Sequence, residues 1–303
     1  MTSRVVSVFG ATGLQGGAVV DALLKDGTFV PRAITRDPES EASKKLKARG
    51  VEVVKADSID KASLVAALRG SEAVFAVTLP VIPKTEGKGE DVQGKNIVDA
   101  AKEAGVKFFI WTSLPSLSEY TNGKYKNAIH FEDKQIVHDY LRSSGLAHAT
   151  LLLPGFLENL WNLGNLKKTA TGYTIAAPSF NATNIQDFIW IARDVPAAAL
   201  ALLRNYADPT KQVNGKTYSV VSVRLSYGKL AELTAKALGV EVTYTTGPPT
   251  GLLPVDEMWD ALAEFGWYTS DTPAPNPDLV ALGAKFSTVE DFLEAEVKPR
   301  FGN

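Results

Sequence analysis

The chain contains no cysteine, and this absence excludes several classes of site at once. Without thiols there is no disulfide, no thiolate zinc site, no iron–sulfur cluster and no cysteine nucleophile. Histidine is also scarce, because His130, His138 and His148 are the only three in 303 residues. They are too few and too dispersed to indicate a metal site, so we expect no metal.

Long apolar runs and a surplus of basic residues are missing as well. No apolar stretch reaches the roughly 18 to 20 residues that a membrane-spanning helix needs, and no signal peptide fits before the first predicted strand. With a formal net charge of −2, the sequence lacks the basic footprint of a nucleic-acid-binding protein. We expect a cytoplasmic protein without direct nucleic-acid or membrane contacts, or a nuclear one if it regulates through a protein partner. The oligomeric state is left open.

The first half of the sequence alternates between short β-branched runs and longer amphipathic stretches. This rhythm is typical of a doubly wound parallel α/β sheet of the Rossmann type, whose strands end at one ligand-binding edge. We assign residues 1–155 to this domain, with 181–223 returning to its sheet as two strands around a helix. The remaining segments, 156–180 and 224–303, are predicted to form a smaller C-terminal α/β lobe for a substrate or partner.

A glycine-rich segment lies between the first predicted strand and the first predicted helix, at Val8-Phe9-Gly10-Ala11-Thr12-Gly13-Leu14-Gln15-Gly16-Gly17. In this pattern Gly10 permits a tight turn, Gly13 lets backbone N–H groups approach a pyrophosphate, and Gly16 lets the helix pack on the strand. The helix N-terminus adds a favourable dipole for phosphate. We therefore interpret the segment as a dinucleotide-binding loop rather than a turn needed only for packing.

The end of the second strand indicates which dinucleotide is bound. An NAD site places an acidic residue there, whereas this chain has Thr35 and Arg36, followed by Asp37 and Pro38. A guanidinium suits a 2′-phosphate, so the sequence favours NADP(H), unless Arg36 is only a solvated loop charge. After the third strand, Asp57 and Ser58 either meet the adenine or cap the next helix, with Lys55 as a second nearby cation.

Five stretches of the sequence resemble the NmrA-like branch of the atypical short-chain dehydrogenase/reductases. They are Gly10 to Gly17, Ile34-Thr35-Arg36-Asp37-Pro38, Asp57-Ser58-Ile59-Asp60, His130-Phe131-Glu132-Asp133-Lys134 and Leu153-Pro154-Gly155-Phe156-Leu157-Glu158-Asn159-Leu160. The resemblance extends over nearly the whole chain and implies a Rossmann domain, a small C-terminal lobe and NADP(H). Family members divide between redox-sensing regulators of the HSCARG type and reductases, including quinone reductases and isoflavone-reductase-like enzymes.

The resemblance also implies which residues hold the cofactor. By position, Lys134 would reach the nicotinamide ribose, and Asn159 would lie close to the nicotinamide. The residues implied at the pyrophosphate are Gly10, Thr12, Gly13, Leu14, Gln15 and Gly16; at the 2′-phosphate, Arg36; at the adenosine and the bridge to the nicotinamide, Thr78, Leu79 and Pro80; and beside the nicotinamide ring, Pro154, Gly155 and Phe156.

The catalytic residue is harder to identify. The usual Tyr-x-x-x-Lys pair of short-chain dehydrogenases lies on one helix face, but the residue four before Lys134 is His130. Lys134 either transfers a proton, as in the isoflavone-reductase-like enzymes, or only bonds the ribose; His130 either relays a proton or is an exposed residue at the helix start. A literal Tyr120-x-x-x-Lys124 has Thr-Asn-Gly inside it, which favours a turn.

Aromatic residues in the second half are candidates for a substrate pocket, although such clusters are more often core. A flat apolar substrate would stack among them. The pocket residues that we predict are Ser113, Phe156, Trp161, Trp259 and Trp267, with Leu160, Tyr173, Phe265 and Tyr268 as further parts of a roof. The sequence thus favours an NADPH-dependent reductase of a small carbonyl, enone, quinone or imine-type compound. The alternative is a non-catalytic NADP(H) sensor that binds a regulatory protein.

Overall fold

A computed structural model describes residues 4–82 and 85–302 of the chain. In the first half, strands and helices alternate. Their bounds are β1 Val5–Phe9, α1 Leu14–Asp26, β2 Val30–Thr35, α2 Glu41–Ala48, β3 Glu52–Lys55, α3 Lys61–Leu68, β4 Ala73–Ala76, α4 Glu90–Glu103, β5 Phe108–Ser113, α5 Leu117–Tyr120, α6 Ile129–Ser143 and β6 His148–Leu152.

Beyond β6 the elements are shorter and more mixed. Their bounds are β7 Gly155–Phe156, α7 Asn159–Asn162, β8 Leu166–Lys168, β9 Gly172–Pro178, β10 Ile185–Ile189, α8 Ile191–Asn205, β11 Lys216–Ser219, β12 Val223–Ser226, α9 Tyr227–Leu238, β13 Glu241–Gly247, α10 Leu253–Phe265, α11 Pro277–Ala281, α12 Val289–Phe292 and α13 Lys298–Phe301. A 3₁₀ turn at Pro209–Lys211 precedes β11, and a π-helical turn at Leu293–Val297 joins α12 to α13.

A seven-stranded parallel sheet forms the centre of the protein, in the order β11-β6-β5-β4-β1-β2-β3. The crossovers place α1 and α8 side by side on one face and α3, α4 and α6 on the other. This is the doubly wound Rossmann-like α/β fold, and the predicted fold class is confirmed.

The central strand β5 shows how the two faces of the sheet are filled. Phe108 and Ile110 pack under α1 and α8, whereas Phe109 and Trp111 pack under α3, α4 and α6. Every residue of β5 is buried, because a parallel sheet covered on both faces leaves its strands little contact with water. Polar groups for a ligand are therefore found where the strands end.

Only one of the two segments predicted to rejoin this sheet does so. β11, within residues 215–223, pairs with β6. β10, within residues 181–194, instead pairs with β7 and β12 in a separate three-stranded sheet. The place beside β6 is taken by β11, and Pro154 has no N–H with which to continue the β6 ladder. The chain bends there, and β10 pairs with the two residues that follow the proline.

The second lobe is built around an aromatic core. The sheets β12-β10-β7 and β13-β9-β8 enclose it together with α9, α10 and the last helices. Its buried aromatic residues are Phe180, Phe188, Trp190, Tyr227, Trp259, Trp267 and Phe292. Phe188 and Trp190 come from the β10 segment, which therefore shares its core with this lobe. Within the described residues no helix is both long and apolar enough to cross a membrane.

Candidate functional site

The strand order arranges the candidate residues in a row along the carboxyl edge of the sheet. Asp57 follows β3, Arg36 follows β2, Gly10 follows β1, Thr78 follows β4, and Ser113 ends β5. These five residues are far apart in sequence. Because parallel strands end at one edge, the topology alone places them in this order.

The glycine loop brings α1 unusually close to β1. Gly10 adopts a left-handed φ of +64°, and its carbonyl oxygen accepts the N–H of Gly13 at 2.8 Å. A Cβ on Gly16 would lie only 2.4 Å from that same oxygen. Gly13 caps α1 without a side-chain hydrogen bond, and the first turn contains no acidic residue. The N–H groups of this turn are thus available to a phosphate.

A groove of about 540 Å³ opens beside this loop. Predicted cofactor residues that line it are Gly10, Thr12, Arg36, Asp57, Ser58, Thr78, Leu79 and Pro80. Ile34, Ile59 and Gln93 are among the lining residues that the sequence analysis did not assign to the cofactor. The two isoleucines give the β2–β3 end of the groove the apolar surface that a flat base prefers. Ile34 lies near the carboxyl end of β2 and Ile59 lies in the turn after β3, and these positions were the signal that could have identified the two isoleucines.

Arg36 is the cation of this groove. Its side chain is exposed, and no hydrogen bond or ion pair within the described part of the chain engages its guanidinium. Asp37 also lines the groove, but its Oδ1 accepts the N–H of Glu39 at 2.9 Å. The acidic residue thus shapes the turn into α2, and the guanidinium beside it is free to meet an anion.

The start of α3 differs from the prediction. The helix begins at Lys61, and its cap is Asp60, which accepts the N–H of Ser63 at 3.2 Å. Asp57 turns to the N–H of Ile59 instead, at 3.0 Å. This local bond delays the helix, so the predicted cap at Asp57 or Ser58 is wrong, and both residues line the groove.

Ten of the predicted cofactor residues do not line the groove: Gly13, Leu14, Gln15, Gly16, Lys55, Lys134, Pro154, Gly155, Phe156 and Asn159. Lys55 is exposed at the end of β3. Leu14 and Gln15 lie in the first turn of α1, where the Leu14 residue is 52% exposed and Gln15 Oε1 is buried without a partner in the described structure. What these two residues offer a phosphate is therefore their place at the helix N-terminus rather than their side chains.

Lys134 is held at the end of β4 by a buried ion pair. Its Nζ lies 2.6 Å from Oε1 of Glu90 and donates to the Thr78 carbonyl oxygen at 3.4 Å. The ammonium also lies 5.2 Å from the centre of the Trp111 ring. The lysine side chain is 11% exposed and the glutamate side chain 0%. Lys134 is therefore a fixed cation next to the groove wall, and Glu90, which the sequence analysis missed, is its counter-ion.

His130 lies one turn before Lys134 on α6. Its Nε2 is 3.4 Å from Sδ of Met258 in α10, and its Nδ1 is buried without a hydrogen-bond partner in the described structure. Burial, and to a lesser extent the charge of Lys134, lowers the pKa of His130 to about 4. The ring is neutral at pH 7, so His130 does not act there as an imidazolium acid.

The lowered pKa of His130 makes stability depend on pH. In the unfolded chain the pKa returns to about 6.5. Between pH 6.5 and about 4 the unfolded state then binds more protons, so the free energy of unfolding falls as the pH falls. In His130→Phe this slope is expected to decrease by up to about 1.4 kcal/mol per pH unit. Urea denaturation from pH 4.5 to 7.5 measures it, and parallel curves for the two proteins would contradict the assignment.

The literal Tyr120-x-x-x-Lys124 motif forms a turn. Asn122 and Gly123 within it have left-handed φ values of 53° and 82°, which confirms the turn that the sequence predicts. Tyr120 donates from its hydroxyl to the carbonyl oxygen of Phe265 at 3.1 Å, and Lys124 pairs with Glu264. Burial raises the pKa of Tyr120. Both side chains therefore join the segment after β5 to α10.

Tyr120→Phe is expected to leave NADPH affinity and any turnover unchanged. The substitution removes one hydroxyl that anchors the end of α10, which contributes about 1 kcal/mol to the free energy of unfolding. Isothermal titration with NADPH and urea denaturation measure the two quantities. A tenfold or larger loss of turnover in a folded variant would instead make Tyr120 the acid.

The predicted substrate residues are brought together only in part. A cavity of about 20 Å³ is lined by Phe156, Trp259 and Trp267, together with Gly155 and Asn159 from the predicted cofactor set. All the residues that line the cavity are uncharged. A volume of this size holds about one water molecule.

Two predicted pocket residues are engaged elsewhere. Trp161 stacks on Phe292 of α12 at 5.6 Å and lies under the Arg300 guanidinium. Trp161 therefore does not line this cavity, because long-range packing against the C-terminal helices engages its ring. Ser113 donates its hydroxyl to the main-chain oxygen of Leu114 or Lys134, each at 3.2 Å. It therefore contributes to the position of the lysine rather than to the cavity.

Comparisons with known proteins agree on one family. The NmrA-like family model matches residues 2–293. An NmrA-like family domain-containing oxidoreductase, malD of Malbranchea aurantiaca, is 32% identical over 256 residues, covering 80% of this chain and 75% of the relative. The structure of NmrA, a negative transcriptional regulator, in complex with NADP has a TM-score of 0.81 and 18% identity, covering 99% of this chain and 97% of that one. The NADPH complex of the Escherichia coli quinone oxidoreductase QOR2 has a TM-score of 0.70 and 23% identity, covering 95% and 98%.

Proposed function

The chain belongs to the NmrA-like family, and from that premise we propose that it is an NADP(H)-binding oxidoreductase. Its substrate is a small apolar carbonyl, enone, quinone or imine-type compound. The relative malD is an oxidoreductase by name, and the E. coli quinone oxidoreductase structure contains NADPH. The uncharged cavity beside Gly155 favours a neutral substrate.

The residues along the carboxyl edge fit the dinucleotide. The first turn of α1 receives the pyrophosphate, and Arg36 receives the 2′-phosphate. Asp57 and Ser58 would meet the adenine, and the two isoleucines of the groove would offer it an apolar surface. The segment from Pro154 to Asn159 would meet the nicotinamide end, since it follows β6, which is the next strand beyond β5 in the sheet.

The observation that carries an enzymatic role is the position of Lys134. NADPH, when bound, would supply a hydride. Lys134 holds a proton at Nζ beside the groove, and in the reduction this proton passes to the substrate oxygen or nitrogen. The bound substrate lies at the mouth of the small cavity, beside Gly155 and Phe156, because the cavity itself is too small to enclose it.

A non-catalytic NADP(H) sensor that regulates a protein partner is the second candidate. It is favoured by His130, which replaces the usual tyrosine and is neutral at pH 7 because its pKa is lowered to about 4. The NmrA structure, described as a negative transcriptional regulator, points the same way by analogy.

The two candidates are separated by one set of measurements. NADPH oxidation is followed with quinones, enones, imines and simple ketones as separate additions, and NADPH and NADP⁺ are titrated calorimetrically. The enzyme predicts steady oxidation with at least one class, and a loss of about 100-fold in Lys134→Met. Tight NADPH binding without oxidation of any compound, with a clear preference between NADPH and NADP⁺, would identify the sensor.

A further inference from the structure

Glu90 carries a fully buried side-chain carboxylate, one oxygen of which is contacted by a hydroxyl donor and by an ammonium. It is the first residue of α4, whose amino end has no side-chain cap. Its Oε1 accepts the Thr78 hydroxyl at 2.6 Å and faces the Lys134 ammonium at the same distance. The dipole at the start of α4 also favours the negative charge. These groups offset part of the cost of burying the carboxylate.

The same contacts determine where the Lys134 ammonium lies. A lysine Nζ at the end of four methylenes has many positions open to it. Here the Glu90 carboxylate, the Thr78 carbonyl and the Trp111 ring restrict it to one. Without its counter-ion, the nearly buried ammonium would be strongly disfavoured at this place and would move toward solvent. Glu90 thus sets the position of the lysine.

Glu90 also ties together the two ends of a groove wall. The segment between Thr78 and Glu90 begins with Leu79, Pro80 and Val81, and these three residues line the groove. The Thr78–Glu90 hydrogen bond joins the start of this segment to its end. The ion pair is therefore continuous with the wall against which a dinucleotide would lie.

One further feature separates Glu90 from an ordinary core ion pair. Its second oxygen, Oε2, is buried and has no hydrogen-bond partner in the described part of the chain. Buried polar atoms are nearly always satisfied, and an exception calls for an explanation.

We propose that Glu90 is the positioning residue of this site, which holds the Lys134 side chain in place beside the groove, where it would meet the nicotinamide ribose of a bound NADP(H). The proposal rests on the proposed function, since it requires that the dinucleotide binds. Glu90 acts through the lysine and the Thr78 wall. It accounts for a helix that begins with a buried carboxylate instead of an apolar residue.

The test is a double-mutant cycle on NADPH affinity with Glu90→Gln and Lys134→Met. Glutamine keeps an oxygen for the Thr78 hydroxyl and removes only the charge. Dissociation constants are measured by titration, and the fluorescence of bound NADPH reports how firmly the nicotinamide is held. Each single variant is expected to bind NADPH about tenfold more weakly, as for the loss of one charge-assisted hydrogen bond. The double variant is expected to match Lys134→Met within about twofold, because the effects of coupled residues do not add.

Glu72→Gln is the matched control. Glu72 precedes β4 at the opposite edge of the sheet and pairs with Arg4 at 2.7 Å. The same substitution there removes an ion pair remote from the groove. It is expected to lower thermal stability while NADPH affinity and the fluorescence of bound NADPH stay at the wild-type values.

Three results would overturn the proposal. The first is an affinity of Glu90→Gln for NADPH equal to that of the wild type, and the second is a loss of affinity in Glu90→Gln that adds fully to that of Lys134→Met. In either case the wild type binds NADPH and the proposed function stands without the positioning role. A wild-type protein that binds no NADPH would overturn both. If Glu90→Gln does not fold, Glu90→Asp serves instead, and its shorter reach is expected to weaken NADPH binding about threefold, against no change if Glu90 has no such role.

Discussion

Gly16→Ala is expected to abolish NADPH binding and to destabilise the fold by about 2 kcal/mol. The added Cβ would lie 2.4 Å from the Gly10 carbonyl oxygen and 2.5 Å from that of Phe9. Both atoms belong to the backbone, so no side-chain rotation relieves the contact. α1 must move away from β1, and the phosphate-facing N–H groups move with it. The better helix propensity of alanine, about 1 kcal/mol, offsets only part of this strain.

Gly17→Ala is the matched control for that experiment. It adds the same methyl group to the next residue of α1, but there the Cβ would lie 3.3 Å from the nearest atom, the carbonyl oxygen of Ala11. We expect its unfolding free energy to stay within about 1 kcal/mol of the wild type and its NADPH affinity within about threefold. Urea denaturation and calorimetric titration give both quantities. A Gly16→Ala protein that binds NADPH normally would show that close packing of α1 is not needed at this site.

The parts of the protein that the sequence predicts correctly depend on local chemistry. The spacing of Gly10, Gly13 and Gly16 predicts the turn between β1 and α1, because a side chain at each of these positions would crowd neighbouring atoms of the same turn or sheet edge. The first six strands are read from short apolar runs between amphipathic helices. Once the fold class is known, the order of the strands places Arg36 and Thr78 along the same edge of the sheet.

The parts that the sequence misses depend on contacts between distant segments. Glu90 stands at the start of a helix like many other acidic residues, and nothing in the sequence links it to Lys134, which lies three elements further on, in α6. Trp161 looks like a pocket residue until Phe292 and Arg300 are seen to pack on it. β10 has the pattern of a sheet strand, but which sheet it joins is decided by β11.

A single local bond also accounts for the misplaced start of α3. Asp57 and Asp60 are both good cap residues, and the sequence offers no way to choose between them. Because Asp57 accepts the N–H of Ile59, it does not cap the helix, and Asp60 is the cap of α3. The consequence for function is favourable, because Asp57 is left at the groove and Asp60 caps the helix.

Arg36→Ala is expected to weaken NADPH binding about 100-fold and to leave NADH binding nearly unchanged. The guanidinium lines the groove and has no hydrogen bond or ion pair within the described residues, so a 2′-phosphate would be its main partner. Two charge-assisted hydrogen bonds to an exposed phosphate contribute about 2.7 kcal/mol, which is a factor of about 100 in affinity. NADH lacks this phosphate, so its binding does not depend on Arg36. Calorimetric titration with each nucleotide gives the two dissociation constants and their ratio.

Lys55→Ala separates this specific contact from a general effect of positive charge. Lys55 is also exposed and follows the neighbouring strand, but it does not line the groove. Its loss is expected to change NADPH affinity by less than about threefold, an effect that salt should remove. If Lys55→Ala weakens NADPH binding as much as Arg36→Ala does, the 2′-phosphate is held by a diffuse field. Neither variant changing the ratio of the affinities for NADPH and NADH would mean that the residues after β2 do not determine a preference for NADP(H). Arg36 is the only cation among the described residues that lines this groove.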